Sequence, residues 1–186
     1  MTFNSELRSG IALGIAYFLW LLMEYYLGFH TKYLDYLPFV FWIYSVIPTV
    51  GINWALKAKR DRFYHGKINF FQAFRTGFSI SVVMALVSAL MKFIYVFLVN
   101  PLYYDLRIDH DKKMIDELDI AKPDKDMMIN KIMTENALGY SMFETLIFMI
   151  VIGTIITLTV SILIKKDTRP KNPEPPKNEP FPEVQR

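Results

Sequence analysis

Glu24, Lys92 and Glu144 are charged residues set within or at the edge of long apolar stretches. A charge at the centre of a bilayer costs at least about 2.5–3.5 kcal/mol on insertion scales, so each needs a partner. Helical rise puts Lys92 about 12 Å below Asn100, where its stretch ends, and Glu24 about 8 Å below Phe29. The expected arrangement is a Glu24–Lys92 ion pair. Glu144 would lie at the outer edge of the same site, with Asn100, Tyr17 and Tyr95 as further hydrogen-bonding groups. A lysine reaches roughly 6 Å, too short for Lys92 to snorkel to the surface alone. Such a pair has two uses, fixing helix register or forming a polar site for a ligand, and residue types leave both open.

Other chemistries are thinly represented. Asp109-His110-Asp111 concentrates metal-ligand types but lacks the spacing, glycine and terminal Glu of a calcium loop, so it reads as a solvated charge run. His30, His65 and His110 have no histidine four residues away on a shared helix face. No G-x-S-x-G, P-loop or H-E-x-x-H sequence occurs, and there is no cysteine for a thiolate ligand, a nucleophile or a disulfide. No catalytic, cofactor or metal residue is assigned, and the chain reads as non-enzymatic. A dispersed net charge of +3 speaks against nucleic acid as a partner. Lys57, Lys59, Arg60 and Arg62 form a basic cluster, extended by His65, Lys67 and Arg75. Basic residues beside membrane helices mark the cytoplasmic side. The first four are also candidate contacts for anionic lipid headgroups.

The elements that must position these groups are apolar blocks of membrane length, in a chain that is 53% hydrophobic over 186 residues. The first block, about 9–29, is too long for a signal-peptide core and precedes no small-x-small cleavage site. Its Gly10 and Gly14 share a helix face with Glu24. The second, about 37–56, has Pro38 in its first turn and Pro48 inside, where a kink is expected. The third, about 72–100, carries a stripe of Gly77, Ser81, Ala85 and Ser88 that Lys92 continues. It stops at Asn100-Pro101, because proline pushes its predecessor out of the helical region. The fourth, about 142–164, has a third stripe in Gly153, Thr157 and Ser161. Between the last two, residues 101–141 hold nine Asp or Glu and six Lys or Arg. Two amphipathic patterns there, separated by Pro123, predict short helices capping the bundle's outer end. Six prolines in 168–186 predict a disordered cytoplasmic tail.

The "GKINFFQAFRTGF" opening of the third block, its "FIYVFLVNPLYYD" close, the four apolar helices and the charged helical loop resemble one bacterial family. It is known as domain of unknown function 4199. The resemblance runs over about residues 5–167, with Gly66 through Phe74 and Asn100-Pro101 as its motifs. It implies an inner-membrane protein and no reaction. The expected architecture is all-α: an integral-membrane four-helix bundle over 1–167 with a short helical extracytoplasmic loop and both termini cytoplasmic. Three small-residue stripes exceed what one closed bundle needs. The leading expectation is therefore a structural or interaction role in the cell envelope, as a homo-oligomer or with a membrane partner. The alternative is a small permease or ion-coupled carrier built on Glu24 and Lys92. Bilayer lipid, anionic lipid included, is the other expected partner.

Overall fold

The computed structural model describes residues 3–40 and 42–165. The tail expected at 168–186 lies outside the described residues, as does Lys166. Among the described residues every regular element is helical. Helix α1 (Phe3–Tyr26) leads through a turn and a 3-10 segment (Leu34–Tyr36) to the short α2 (Leu37–Val40) and to α3 (Ile43–Phe63). Helix α4 (Phe70–Ile94) runs into a π-helical turn, Tyr95–Val99. The amphipathic α5 (Tyr103–Asp116) and α6 (Lys122–Glu135) precede α7 (Leu138–Ile164). Among the described residues four stretches are long and apolar enough to cross a membrane: Asn4–Tyr26, Leu34–Phe63, Phe70–Val99 and Leu138–Ile164. This is the expected all-α, four-helix architecture.

Local chemistry sets the boundaries. Asn69 and Gln72 form a reciprocal capping box that starts α4: Gln72 N–H donates to Asn69 Oδ1 at 2.9 Å, and Asn69 N–H to Gln72 Oε1 at 3.1 Å. At the other end the regular helix stops at Ile94, short of Asn100, and a wider π turn covers the remainder. That turn closes with Asn100 N–H on the Tyr95 carbonyl at 2.9 Å and rolls Tyr95 and Val96 inward. Helix α3 does not stop at Leu56 but continues through the basic segment to Phe63. Gly66, at φ +78°, then turns the chain and donates its N–H to the Arg60 carbonyl.

Continuation of α3 changes the reading of the basic cluster. Ile52, Ala55, Leu56 and Lys59 recur at helical spacing on one buried face. Lys59 is therefore turned into the bundle, where its ammonium donates to Glu6 of α1 and both side chains are buried. It is not an exposed headgroup contact. Lys57 and Arg62 are exposed, and Arg60 pairs with Asp61 at 2.7 Å.

Helix α4 is the hub, packed mainly between α1 and α7, with α3 touching all three. Gly10 and Gly14 of α1 receive Val83 and Val87 of α4; a Cβ on Gly10 would sit 2.6 Å from the Val83 side chain. The opposite face of α4 meets α7 in antiparallel register, Gly77 against Thr157 and Ser81 against Gly153. All three small-residue stripes thus interlock inside one chain, and the close approach is a dispersion contact between backbones. Outward, Leu19, Leu86, Ile155 and Leu163 stay exposed, as suits a lipid-facing surface.

A methyl group at Gly77 would lie 2.5 Å from Thr157 Cγ2, whereas one at Gly139 meets nothing within 4 Å. Gly77→Ala is expected to cost about 1–3 kcal/mol by overpacking. Gly139→Ala, a helical site with open space, is expected to be neutral or to stabilise by up to about 1 kcal/mol. Thermal unfolding of the two detergent-solubilised variants checks the contrast.

Candidate functional site

Glu24 lies two residues before the end of α1 and is fully buried. An ionised carboxylate there must be hydrogen-bonded, because bare burial of the charge costs far more than any packing gain. Three donors meet it. Trp20, one helical turn earlier, gives its indole N–H to Oε1 at 2.5 Å. Tyr44 of α3 gives its hydroxyl to Oε2. His30, brought back by the turn at Gly28 (φ +85°), places Nε2 3.2 Å from Oε2. The network continues outward. His30 Nδ1 lies 2.5 Å from the Tyr95 hydroxyl, and Asn100 donates its side-chain N–H to the same oxygen at 3.2 Å. One proton assignment satisfies every group: Nε2–H donates to Glu24, and Nδ1 accepts from Tyr95. Tyr103 stacks edge-on against both His30 and Tyr95 and seals the cluster from the α5 side.

The expected Glu24–Lys92 pair is not formed. Lys92 continues the Gly77–Ser81–Ser88 stripe, and that stripe faces α7, whereas Glu24 on α1 is taken up by Tyr44 of α3 and His30 of the connection. Lys92 instead donates to Thr145 Oγ1 at 2.9 Å and to the Ser141 carbonyl at 3.4 Å, both on α7. Glu144 is exposed and lines the same small cavity as Lys92 without reaching ion-pair distance. Of the four expected site residues, Glu24 and Asn100 share one network, and Lys92 and Glu144 adjoin it across Tyr44 and Tyr103. Tyr95 and Asn100 were legible as polar candidates, while Trp20, His30 and Tyr44 were not. Trp20 had a usable signal, its i−4 spacing from Glu24.

Above the network lies a cavity of about 850 Å³. The α1–α3 connection supplies Leu34, Leu37, Pro38 and Trp42 to its walls. The amphipathic faces of α5 and α6 supply Met114, Ile115, Leu118, Met128 and Ile132. Its floor is Glu24, His30, Tyr44 and Tyr103, and Arg107 stands beside them. A second cavity of about 140 Å³ holds Lys92 and Glu144, and Tyr44, Tyr103 and Arg107 line both. Burial holds the Tyr103 hydroxyl above its ordinary pKa, with the positive charge of nearby Arg107 opposing the shift, so it stays protonated.

The charge run at the cap splits into a clasp. His110 Nε2 lies 2.8 Å from Asp35 of the connection and Nδ1 3.3 Å from Asp111, bridging α5 to the far rim of the large cavity. Among the described residues no three His, Asp or Glu side chains converge as a metal cage requires. Partial burial pulls His110 down, and hydrogen bonds to Asp35 and Asp111 more than offset it, so its pKa lies above the usual histidine value. A raised folded-state pKa means the clasp stabilises fully below the unfolded value of about 6.5 and fades as pH rises through the folded value. Both groups face water, so the contribution stays under about 1 kcal/mol. The Tm advantage of wild type over His110→Gln is expected at pH 5.5 and is expected to shrink by pH 8.5.

Coupling distinguishes the two possible Glu24 partners. Glu24→Ala and His30→Ala are each expected to cost about 1–3 kcal/mol or more by stranding buried polar groups. Together they are expected to be non-additive, whereas Glu24→Ala with Lys92→Met is expected to add within about 0.5 kcal/mol. Unfolding of the two double-mutant cycles measures both.

No curated protein and no solved structure matches the chain. Residues 8–166, most of the chain, match the model of a family described only as a protein of unknown function, DUF4199. With its four membrane-length apolar helices, the chain is a member of the DUF4199 family.

Proposed function

We propose that the protein works by binding, as a non-enzymatic interaction protein of a bacterial inner membrane, and that the cavity under its cap helices is the binding site. One observation carries this reading: a chamber of about 850 Å³, walled by apolar side chains and floored by a buried polar network. That volume falls within the roughly 300–1,000 Å³ of small-molecule sites, and apolar walls with few convergent polar groups are their usual make-up. The network speaks against catalysis. Both His30 nitrogens are engaged and Glu24 already takes three donors, so neither is poised toward a reacting atom.

The other expectations have less support. The stripes that suggested an oligomer are spent inside the chain. The carrier reading rested on a Glu24–Lys92 pair, and beneath the two cavities Tyr17, Met84, Ala85 and Met149 pack as a buried apolar layer across the bundle. For orientation, the exposed Lys57, Arg62, Lys67 and Arg75 at the end carrying Phe3 and Lys165 support a cytoplasmic placement of that end. The cap and its cavity would then face the periplasm.

Native mass spectrometry of the full chain, purified from bacterial membranes in neutral detergent, tests the site. The wild type is expected to carry a bound amphiphile of several hundred daltons. Met128→Trp with Ile132→Trp, which fills the chamber from its α6 wall, is expected to lose that adduct and keep its Tm. Equal adducts on both proteins would mean that the bound molecules are annular lipid and the chamber is not a site.

A further inference from the structure

Lys92 is a cation whose neighbours do not account for it. Its ammonium, part-buried in an apolar span, is hydrogen-bonded only to a hydroxyl and a carbonyl. Among the described residues no carboxylate comes within ion-pair distance of it. Neutral oxygens do not offset the desolvation of a buried charge. Beside it lies the 140 Å³ cavity, larger than a single-water void. A second cation, Arg107 of α5, enters the same cavity, as do Tyr17, Tyr44 and Tyr103. The acid there is Glu144, which is exposed. Arg107 is itself exposed and pairs with Asp111 at 4.0 Å, so Lys92 is the cation of this cavity that, among the described residues, has no carboxylate at ion-pair distance.

Asp35 and Asp111 line the large chamber paired with His110, so that rim offers an anion no uncommitted cation. Glu24 on the floor is occupied by its three donors. An anionic group entering the chamber is therefore driven past Arg107 toward Lys92, while an apolar body is retained by the Met and Ile walls. Tyr44, Tyr103 and Arg107 line both cavities, so the two compartments adjoin across these three side chains.

Building on the cavity as a ligand site, we propose that its ligand is a single-chain anionic amphiphile. Lys92 and Arg107 hold a carboxylate or phosphate head in the small cavity, and the hydrocarbon chain fills the chamber under the cap. The chemistry recognised is an anionic oxygen head attached to a chain, so free phosphate is a poor substitute.

Binding of radiolabelled palmitate and of radiolabelled hexadecanol to the full chain, by scintillation proximity in neutral detergent, tests this directly. Wild type is expected to bind palmitate about tenfold or more tightly than hexadecanol, the worth of one charge-assisted contact. Hexadecyl phosphate is expected to displace palmitate, and millimolar sodium phosphate is not. Lys92→Gln and Arg107→Gln are each expected to lose about tenfold in palmitate affinity and keep hexadecanol binding, with Lys92→Arg restoring palmitate. Ligand-free Lys92→Met is expected to unfold at a higher temperature than wild type, since it removes an uncompensated charge. Equal binding of acid and alcohol, displacement by sodium phosphate alone, or unchanged palmitate affinity in Lys92→Gln overturns the head site and leaves the chamber standing. Binding of neither probe overturns the chamber and the head site together.

Discussion

Glu24 has to find hydrogen-bond donors inside a bundle of apolar helices, and the chain delivers them from three separate places. Trp20 comes from the same helix, Tyr44 from α3 and His30 from the connection between them. His30 then engages Tyr95 in the π turn of α4, and Tyr95 takes Asn100 where that turn ends. A single buried carboxylate thereby ties the cap-side ends of three spans to one another. The π turn belongs to the same constraint, because it is the turn that rolls Tyr95 inward. Tyr103 of α5 stacks on this cluster, so the cap is seated on the network and the chamber above inherits a fixed polar floor.

The opposite end is tied by the buried Lys59–Glu6 pair. Between the two polar ties the bundle relies on shape. α4 offers Val83 and Val87 to the glycines of α1, and its own small residues to Gly153 and Thr157 of α7. In a bilayer there is little hydrophobic gain from burying one apolar helix against another, so close backbone approach has to supply the packing. The face of α4 chosen for α7 also decides where Lys92 points. That is why a lysine at nearly the depth of Glu24 ends up beside Thr145 and not beside the carboxylate.

Much of the fold was legible because membrane length and helical spacing are strong signals. Four apolar blocks, the stop at Asn100-Pro101 and two short amphipathic helices between the third and fourth spans all follow from local pattern. The α3 extension was not, because Lys57 to Arg62 is too polar to be distinguished from a loop without knowing that Lys59 has Glu6 to meet. The site was half legible. Depth along each helix identified Glu24 and Lys92 as unusual, but rotation of α4 between α1 and α7 is a tertiary outcome that depth does not contain. His30 was invisible for a related reason. It lies beyond the helix, and only the left-handed Gly28 brings its ring back beneath Tyr95.

A polar network that props a cap over an apolar-walled chamber, with two cations at its inner edge, is the arrangement expected of a receptor for an anionic chain molecule. Photolabelling tests that claim most directly. A palmitate analogue with a diazirine near the end of its chain, crosslinked to the full-length protein in nanodiscs, is mapped by peptide mass spectrometry. Adducts are expected at Met114, Ile115, Met128 or Ile132, competed away by hexadecyl phosphate. Adducts confined to lipid-facing positions such as Leu86 and Leu163, unaffected by that competitor, would contradict it.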